Sequence, residues 1–319
     1  MRSWVSKHVR TLAVLLGVLS FSAGGLAAYA KVEKETRVVR RVERAGPALR
    51  KRQAAWNELK RTLTAEIRRF DGQAGVVVED LQTGWSLAHQ PKRLFPAASI
   101  IKVPMMTACY EAAQEGRLDL NSKVVVRPAD KVPGSGVLKQ IPGKTVVPVS
   151  QLVEWMITES DNTATNVLMS RLGMDYFNRH FQELGLRDTK LSRRMMDFSK
   201  RKKGVENYTT AGDMARVLEK LYREDAVSPQ ASRAGLELLK RQHLRDRIPA
   251  MLPGGVPVAH KTGLERSVCH DAGIIFTHRG DVLICVLTQR KVKKGNSRPA
   301  KQFIARLAQH AYQYQMAQN

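Results

Sequence analysis

An α/β (α+β) fold is predicted, with one five-stranded antiparallel sheet flanked by the two terminal helices and an all-helical segment inserted between its strands. Three observations carry this. Strand-like runs are confined to 75–89 and 256–289, the stretch between them is dominated by helical periodicity, and amphipathic helical spacing recurs near both ends at 47–70 and 299–315. At 319 residues and 43% apolar content, the chain has enough material for one large domain or two interleaved ones. The expected subdivision is an α/β part over 47–98 and 250–319 and a helical part over 99–249.

In chain order, residues 47–70 place Ala54, Trp56, Leu59, Leu63 and Ile67 at helical spacing, after a charged linker over 31–46. Residues 75–81, the turn Gln82-Thr83-Gly84 and residues 85–89 read as a β-hairpin. A helix is expected from Ser99 to Leu118, with Pro104 tolerated close to its start. Residues 119–149, rich in Pro and Gly, read as surface loop. Helices follow at 150–172, 174–184, 210–223 and 230–242; Ser150 is placed to cap the first, and Thr210-Ala-Gly-Asp213 resembles a capping box for the third. Strands are expected at 256–262, 268–277 and 282–289 before the closing helix.

The N-terminus has the pattern of an export segment. Arg2, Lys7 and Arg10 precede an uncharged run over 11–30 that ends in the small-x-small site Ala28-Tyr29-Ala30. The run is long enough to serve instead as an uncleaved anchor, so residues 1–30 read as signal peptide or membrane anchor. Either way, the catalytic part is expected in a bacterial periplasm or at the outer face of the cytoplasmic membrane. Cys109, Cys269 and Cys285 are odd in number and lack metal-site spacing; around the turn at Arg279-Gly280-Asp281 the register sets Cys285 nearer Gly273 than Cys269, so no disulfide is expected between them.

The formal net charge is +24, and residues 31–70 alone hold 13 basic against 5 acidic side chains. Further basic runs stand at 200–203 and 290–294. Such a surface suits an anionic membrane or cell-wall polymer, or serves only solubility. Export and an aromatic content of 6% argue against a nucleic-acid partner.

Three short motifs follow one another. Ser99-x-x-Lys102 puts an amine on the same helix face as a hydroxyl, and a lysine with a depressed pKa can take the serine proton. Ser160-Asp161-Asn162 sets three small polar residues inside an apolar helical pattern, where each needs a hydrogen-bond partner: Ser160 to pass a proton, Asn162 to hold a substrate amide, Asp161 to brace the turn. Lys261-Thr262-Gly263 ends a strand whose edge suits an extended peptide, with Lys261 and Thr262 at a carboxylate and the Leu264 N–H as an oxyanion donor. Taken singly, each also occurs as an ordinary helix start, turn or strand end.

Their order and spacing, 61 and then 101 positions, resemble the penicillin-recognising serine hydrolases of the class A β-lactamase-like branch. The resemblance spans about 71–315. It includes Phe95-Pro-Ala-Ala-Ser-Ile-Ile-Lys-Val-Pro104, Glu159-Ser-Asp-Asn-Thr-Ala164, Tyr208-Thr-Thr-Ala-Gly-Asp-Met-Ala215 and His260-Lys-Thr-Gly263. It implies an acyl-enzyme on Ser99, Lys102 as base or relay, Ser160 and Lys261 protonating the leaving amine, and the N–H groups of Ser99 and Leu264 as oxyanion hole. Asn162, Thr262 and Gly263 are the implied substrate contacts. No metal or organic cofactor is implied.

The sequence departs from that family at one chemical position. Class A enzymes carry a glutamate on the loop before the Thr-Thr helix that activates the deacylating water; the corresponding stretch here is Leu191-Ser-Arg-Arg-Met-Met-Asp197, with Arg194 or Met195 at that place. A DD-peptidase or transpeptidase acting on D-Ala-D-Ala-type peptidoglycan stem peptides and slow to release β-lactams is therefore expected. The alternatives are a working β-lactamase using Asp197, Glu206 or another group, and a non-catalytic envelope-binding protein. Glu265 and Arg266 lie at the strand end or in the cleft, and His260 and His270 are expected to be structural.

Overall fold

The computed structural model describes residues 46–290 and 296–318. The export segment, all but the last residue of the charged linker, and most of the 290–294 basic run lie outside the described residues. Residues 58–319 form one compact unit; the preceding unit, 1–57, contributes to the described chain only Gly46 and the first part of helix α1 (Pro47–Arg69).

Helix α1 buries Leu59, Leu63 and Ile67, spaced four residues apart on one face. The chain then enters β1 (Gln73–Asp80) and β2 (Trp85–His89). The turn between them is set by the buried Asp80, whose Oδ1 accepts from the N–H of Gln82 and of Thr83 while its Oδ2 accepts from Tyr314 Oη. The sheet is completed by β7 (Val258–Leu264), β8 (Val268–Ile275) and β9 (Val282–Gln289), in the antiparallel order β2-β1-β9-β8-β7. Every residue of β8 and nearly every residue of β9 is buried, so these strands are covered on both faces.

The terminal helices pack together beside the sheet as expected: α9 (Arg298–Met316) lies against β8 and β9, Phe303 stacks on Phe70, and Arg306 pairs with Glu66. Helix α7 (Ala211–Tyr222) contacts β1, β8 and β9. At the centre of the helical part is α2 (Lys102–Gln114), apolar nearly all round and touching α3 (Val149–Thr158), α5 (Met174–Glu183) and α8 (Pro229–Lys240). Each Leu or Ile buried in such a core contributes about 1.5–3 kcal/mol.

Several local expectations change. Residues 150–172 form two helices, α3 and α4 (Asn162–Leu172), because Ser160 adopts φ +54° between them. Helix α3 begins at Val149 after Pro148, without a side-chain cap from Ser150. Thr210 does cap α7, accepting from Asp213 N, but the Asp213 carboxylate turns to Asp188 N and Thr189 Oγ1, so the box is not reciprocal. Residues 119–149 are not plain loop: β4 (Lys123–Val126) pairs with β5 (Thr145–Pro148), burying Val124, Val126 and Val147. Two two-residue strands, β3 (Phe95–Pro96) and β6 (Tyr208–Thr209), also pair, and α6 (Phe198–Lys202) is a short helix. Cys285 faces Ala272, one residue from the expected partner, and all three cysteines are free.

The loop over 132–138 is stitched onto the turn between α3 and α4, and Gly136 permits this, with φ +121° and the Asp161 side chain 2.3 Å from where a Cβ would stand. Gly136→Ala is expected to cost about 2 kcal/mol or more, lowering the melting temperature by roughly 5 °C. Gly254→Ala, where a Cβ meets nothing within 4 Å, should melt like the parent protein.

Candidate active site

Ser99 lies in a single 3₁₀ turn, Ala98–Ile101, between β3 and α2. Regular α-helix begins only at Lys102, later than expected, so Ser99 stands in the 3₁₀ turn and Lys102 opens the helix that follows it. Ala98 enters the turn at φ +44°, a strained value for a residue with a Cβ. Ser99 is half-buried, while Ala98, Ile100 and Ile101 anchor the turn in the core. Strand β7 passes alongside, and Gly263 makes the approach close: a Cβ there would meet Ile100 N at 3.3 Å and Ala98 Cβ at 3.4 Å. The backbone from Gly263 to the exposed Leu264 is thereby brought to the Ser99 turn.

The Ser160-Asp161-Asn162 turn faces these two elements. Asp161 caps α4 through Oδ1 to Ala164 N at 2.9 Å, and its Oδ2 accepts from Leu138 N at 2.9 Å. Thr165 Oγ1 donates to the Asp161 carbonyl at 2.6 Å, and Asn162 N donates to the Ser135 carbonyl at 3.1 Å. Asn162 Nδ2 donates to the Pro133 carbonyl at 3.3 Å. These bonds fix a turn whose first residue holds an unfavourable φ.

Two buried lysines converge on Ser160. Lys102 Nζ donates to the Ser160 carbonyl at 2.7 Å and to Asn162 Oδ1 at 2.8 Å, and lies 3.3 Å from Ser160 Oγ. Lys261 Nζ donates to the Thr262 carbonyl at 2.9 Å and to Ser160 Oγ at 3.0 Å. Burial, then the neighbouring Lys261 charge, holds Lys102 well below the usual lysine range. Burial and the Arg247 guanidinium bring Lys261 down to about 7. A neutral amine has two N–H groups and one lone pair. In the neutral form of Lys102 the two short contacts, both to oxygens that only accept, would use the N–H groups and leave the lone pair free.

Thr262 is buried beside Lys261, and Arg247 is buried with Nε donating to Cys269 Sγ at 3.3 Å. His260 and His270 are fully buried. His270 Nε2 donates to the Pro96 carbonyl at 2.9 Å while its Nδ1 accepts from Thr288 N at 3.1 Å, which fixes a neutral tautomer; burial holds its pKa down at about 4. His260 Nδ1 pairs with Asp271 at 3.0 Å, and its Nε2 is buried without a partner. Asp271 Oδ2 accepts from Ile248 N.

The 191–207 segment borders the site from the other side. Asn166, one helical turn beyond Asn162 on α4, exchanges two hydrogen bonds with the Met195 backbone, at 2.9 and 3.1 Å. Asn207 closes the base of the segment, accepting from Ser192 N and Arg193 N and donating to the Arg193 carbonyl, and its own carbonyl receives Ala97 N. A cavity of ≈ 260 Å³ is lined there by Asn166, Ser170, Arg194, Met195, Met196 and Asp197, among others. Asp197 caps α6, accepting from Lys200 N and Ser199 Oγ, and these bonds lower its pKa. Glu206 is bound to Arg193 and Arg201.

The structure thus brings Ser99, Lys102, Ser160, Asn162, Lys261, Thr262, Gly263 and Leu264 to one place. Sequence reasoning missed Arg247, Asn166 and Asn207. The i, i+4 spacing of Asn162 and Asn166 was a readable signal, whereas nothing local marks Arg247.

The profile of the beta-lactamase enzyme family matches residues 58–315. The extended-spectrum beta-lactamase PER-1 of Pseudomonas aeruginosa is 27% identical over 244 residues, covering 72% of this chain and 78% of that protein. A beta-lactamase structure from Sphaerobacter thermophilus superposes with TM-score 0.73 at 32% identity, covering 82% of this chain and 98% of the other. PBP-A superposes with TM-score 0.73 at 30% identity, covering 80% and 95%; a mutant of it has been solved as an acyl-enzyme complex with penicillin G.

The proximity of Arg247 gives the Lys261 titration a sign. Lys261 loses its proton as pH rises through about 7, and Arg247→Gln removes a neighbouring positive charge, so the midpoint should move upward. Heteronuclear NMR of the Lys261 side chain measures this; an unchanged midpoint would remove Arg247 from the electrostatics of the site.

Proposed function

The chain belongs to the beta-lactamase enzyme family, and within it we propose an exported serine acyl-transfer enzyme that cleaves D-Ala-D-Ala-type peptides and is acylated, and only slowly released, by β-lactams. The observation that carries the reading is the pair of buried lysines sharing Ser160 Oγ beside the Ser99 turn. Neutral Lys102 takes the Ser99 proton as Oγ attacks the donor carbonyl. The N–H groups of Ser99 and Leu264 stabilise the oxyanion. The donor's terminal carboxylate lies at Lys261 and Thr262, and its amide at Asn162. As the C–N bond breaks, Ser160 gives its proton to the leaving nitrogen and is reprotonated from the lysines. The products are an ester on Ser99 and a free amine, and water or an acceptor amine then attacks the ester.

Peptidase is favoured over β-lactamase by the state of the 191–207 carboxylates. Asp197 is committed to a helix cap and Glu206 to arginines, and Met195, held in place by Asn166, carries no proton-accepting group. After β-lactam ring opening the leaving nitrogen stays tethered to the acyl group and remains in the cleft, so without a dedicated base its ester persists. The relatives named as beta-lactamases support the reading as an active β-lactamase instead. Residues 1–30 fit delivery to the periplasm or the outer membrane face, and the basic segment fits an anionic envelope surface. Among the described residues no helix is long and apolar enough to cross a membrane.

Incubation with benzylpenicillin, followed by intact mass over time, should give a persistent adduct that Ser99→Ala abolishes. Hydrolysed drug without a lasting adduct would establish a β-lactamase, and neither signal would point to a binding protein. Met195→Glu should shorten the adduct's lifetime by at least about tenfold, the usual scale of general-base catalysis being larger still. An unaltered lifetime would show that Met195 does not stand where the deacylating base is needed.

A further inference from the structure

The basic run over 200–203 has no part in the lysine site, and the structure sorts its four cations by direction. Arg201 turns inward, with Nε 3.4 Å from Glu206 Oε2 and Nη1 2.9 Å from Glu265 Oε2. Lys200, Lys202 and Lys203 are exposed, and none forms an ion pair among the described residues. Phe198, the first residue of α6, is 48% exposed beside them. Three crowded ammonium groups repel one another, and the wetted ring forgoes the gain of burial, so α6 presents a surface that water alone does not satisfy.

A second surface has the same make-up. Residues of β4 and β5 alternate between core and solvent, and the outward face carries Lys123 and Val125 on one strand and Val146 and Pro148 on the other. Val125 and Val146 stand directly opposite each other, 41% and 55% exposed. Beyond the last pair, Val126 and Thr145, the chain continues as the extended, exposed Arg127 on one strand and the exposed Lys144 on the other. Like charges placed across a ribbon are destabilising. Lys123, Arg127 and Lys144 form no ion pair among the described residues either. The two surfaces meet at one cavity: the ≈ 260 Å³ space is lined by Ala129 and Asp130, just after Arg127, and by Met196 and Asp197, just before Phe198. Its two carboxylates accept from backbone N–H groups, Asp130 from Arg127 and Asp197 from Lys200, and neither is paired with any of these six cationic side chains.

We propose that α6 and the outer face of β4–β5 form one docking surface for an anionic phospholipid bilayer. A soluble polyanion would engage the cations alone. A bilayer engages both kinds of group, since phosphates meet the lysines and arginine while Phe198, Val125 and Val146 enter the boundary between headgroups and acyl chains. This surface lies in the folded domain and is separate from the basic segment over 31–46. It does not depend on the acyl-transfer reading. Docked in this way, the 191–207 wall of the cleft lies beside the bilayer.

The full chain is mixed with phosphatidylcholine vesicles containing about 30% phosphatidylglycerol, and separately with phosphatidylcholine alone. Amide hydrogen exchange is read in 123–127, 144–147 and 198–205. Whether or not residues 1–30 also hold the chain to lipid, these amides report on the docking face itself. Exchange is expected to slow by about fivefold or more in all three segments on the anionic vesicles only, and to recover in about 0.5 M salt. The triple variant Lys200→Gln/Lys202→Gln/Lys203→Gln should lose the slowing in 198–205, each lysine near such a surface being worth roughly fivefold in binding. Its melt and its reaction with benzylpenicillin should match those of the parent protein. Unslowed exchange on vesicle-bound protein, slowing in only one of the two elements, or slowing that survives in the triple variant would overturn the proposal. Equal slowing by soluble inorganic polyphosphate would assign the cations to a phosphate polymer and overturn the bilayer as partner.

Discussion

Two ammonium-bearing side chains in an apolar interior are the constraint around which the molecule is arranged. Lys102 and Lys261 are both fully buried and both reach Ser160 Oγ, so burial and neighbouring positive charge work against the protonated form of each. Both pKa values are lowered, Lys102 well below its usual range and Lys261 to about 7. Burial and neighbouring positive charge thus depress both amines before any substrate arrives.

That arrangement needs rigid supports at three places, and each stands at a backbone conformation that costs energy. Ala98, Ser160 and Met196 all hold positive φ, at the Ser99 turn, the α3–α4 turn and the 191–207 segment. The surrounding hydrogen bonds supply the compensation. Asp161 binds Ala164 and Leu138, and Asn166 and Asn207 hold the 191–207 segment at both its middle and its base. Gly263, by lacking a Cβ, lets β7 lie against the Ser99 turn and brings sheet and helical layers to a common cleft.

Charge is distributed differently on the two walls. Around β7 the basic side chains of Lys261 and Arg247 are close enough for the guanidinium to lower the lysine pKa, and Asp271 pairs with His260. On the opposing segment both carboxylates are occupied, Asp197 with a helix cap and Glu206 with two arginines. On the proposed reading, the groups for acylation are Ser99, the two lysines and Ser160, while the described carboxylates of the 191–207 segment are held in other bonds.

The sequence by itself determined the class of fold and picked out the candidate reacting groups. Strands 85–89 and 282–289 were legible to the residue, because alternation or an apolar run is bounded by turn residues within a few positions, and three motifs in fixed order named the serine, the lysines and the amide. What only the tertiary structure decided depends on partners far apart in the chain. Lys102 meets Ser160 across 58 positions and His270 meets Pro96 across 174, and no local window contains the burial that shifts a pKa or selects a tautomer. The break at Ser160 was hidden because its neighbours keep helical periodicity; it exists because loop 132–138 supplies the hydrogen bonds that a continuous helix would have satisfied. Arg247 carries no motif at all, and its effect on Lys261 arises only because folding places the two side by side.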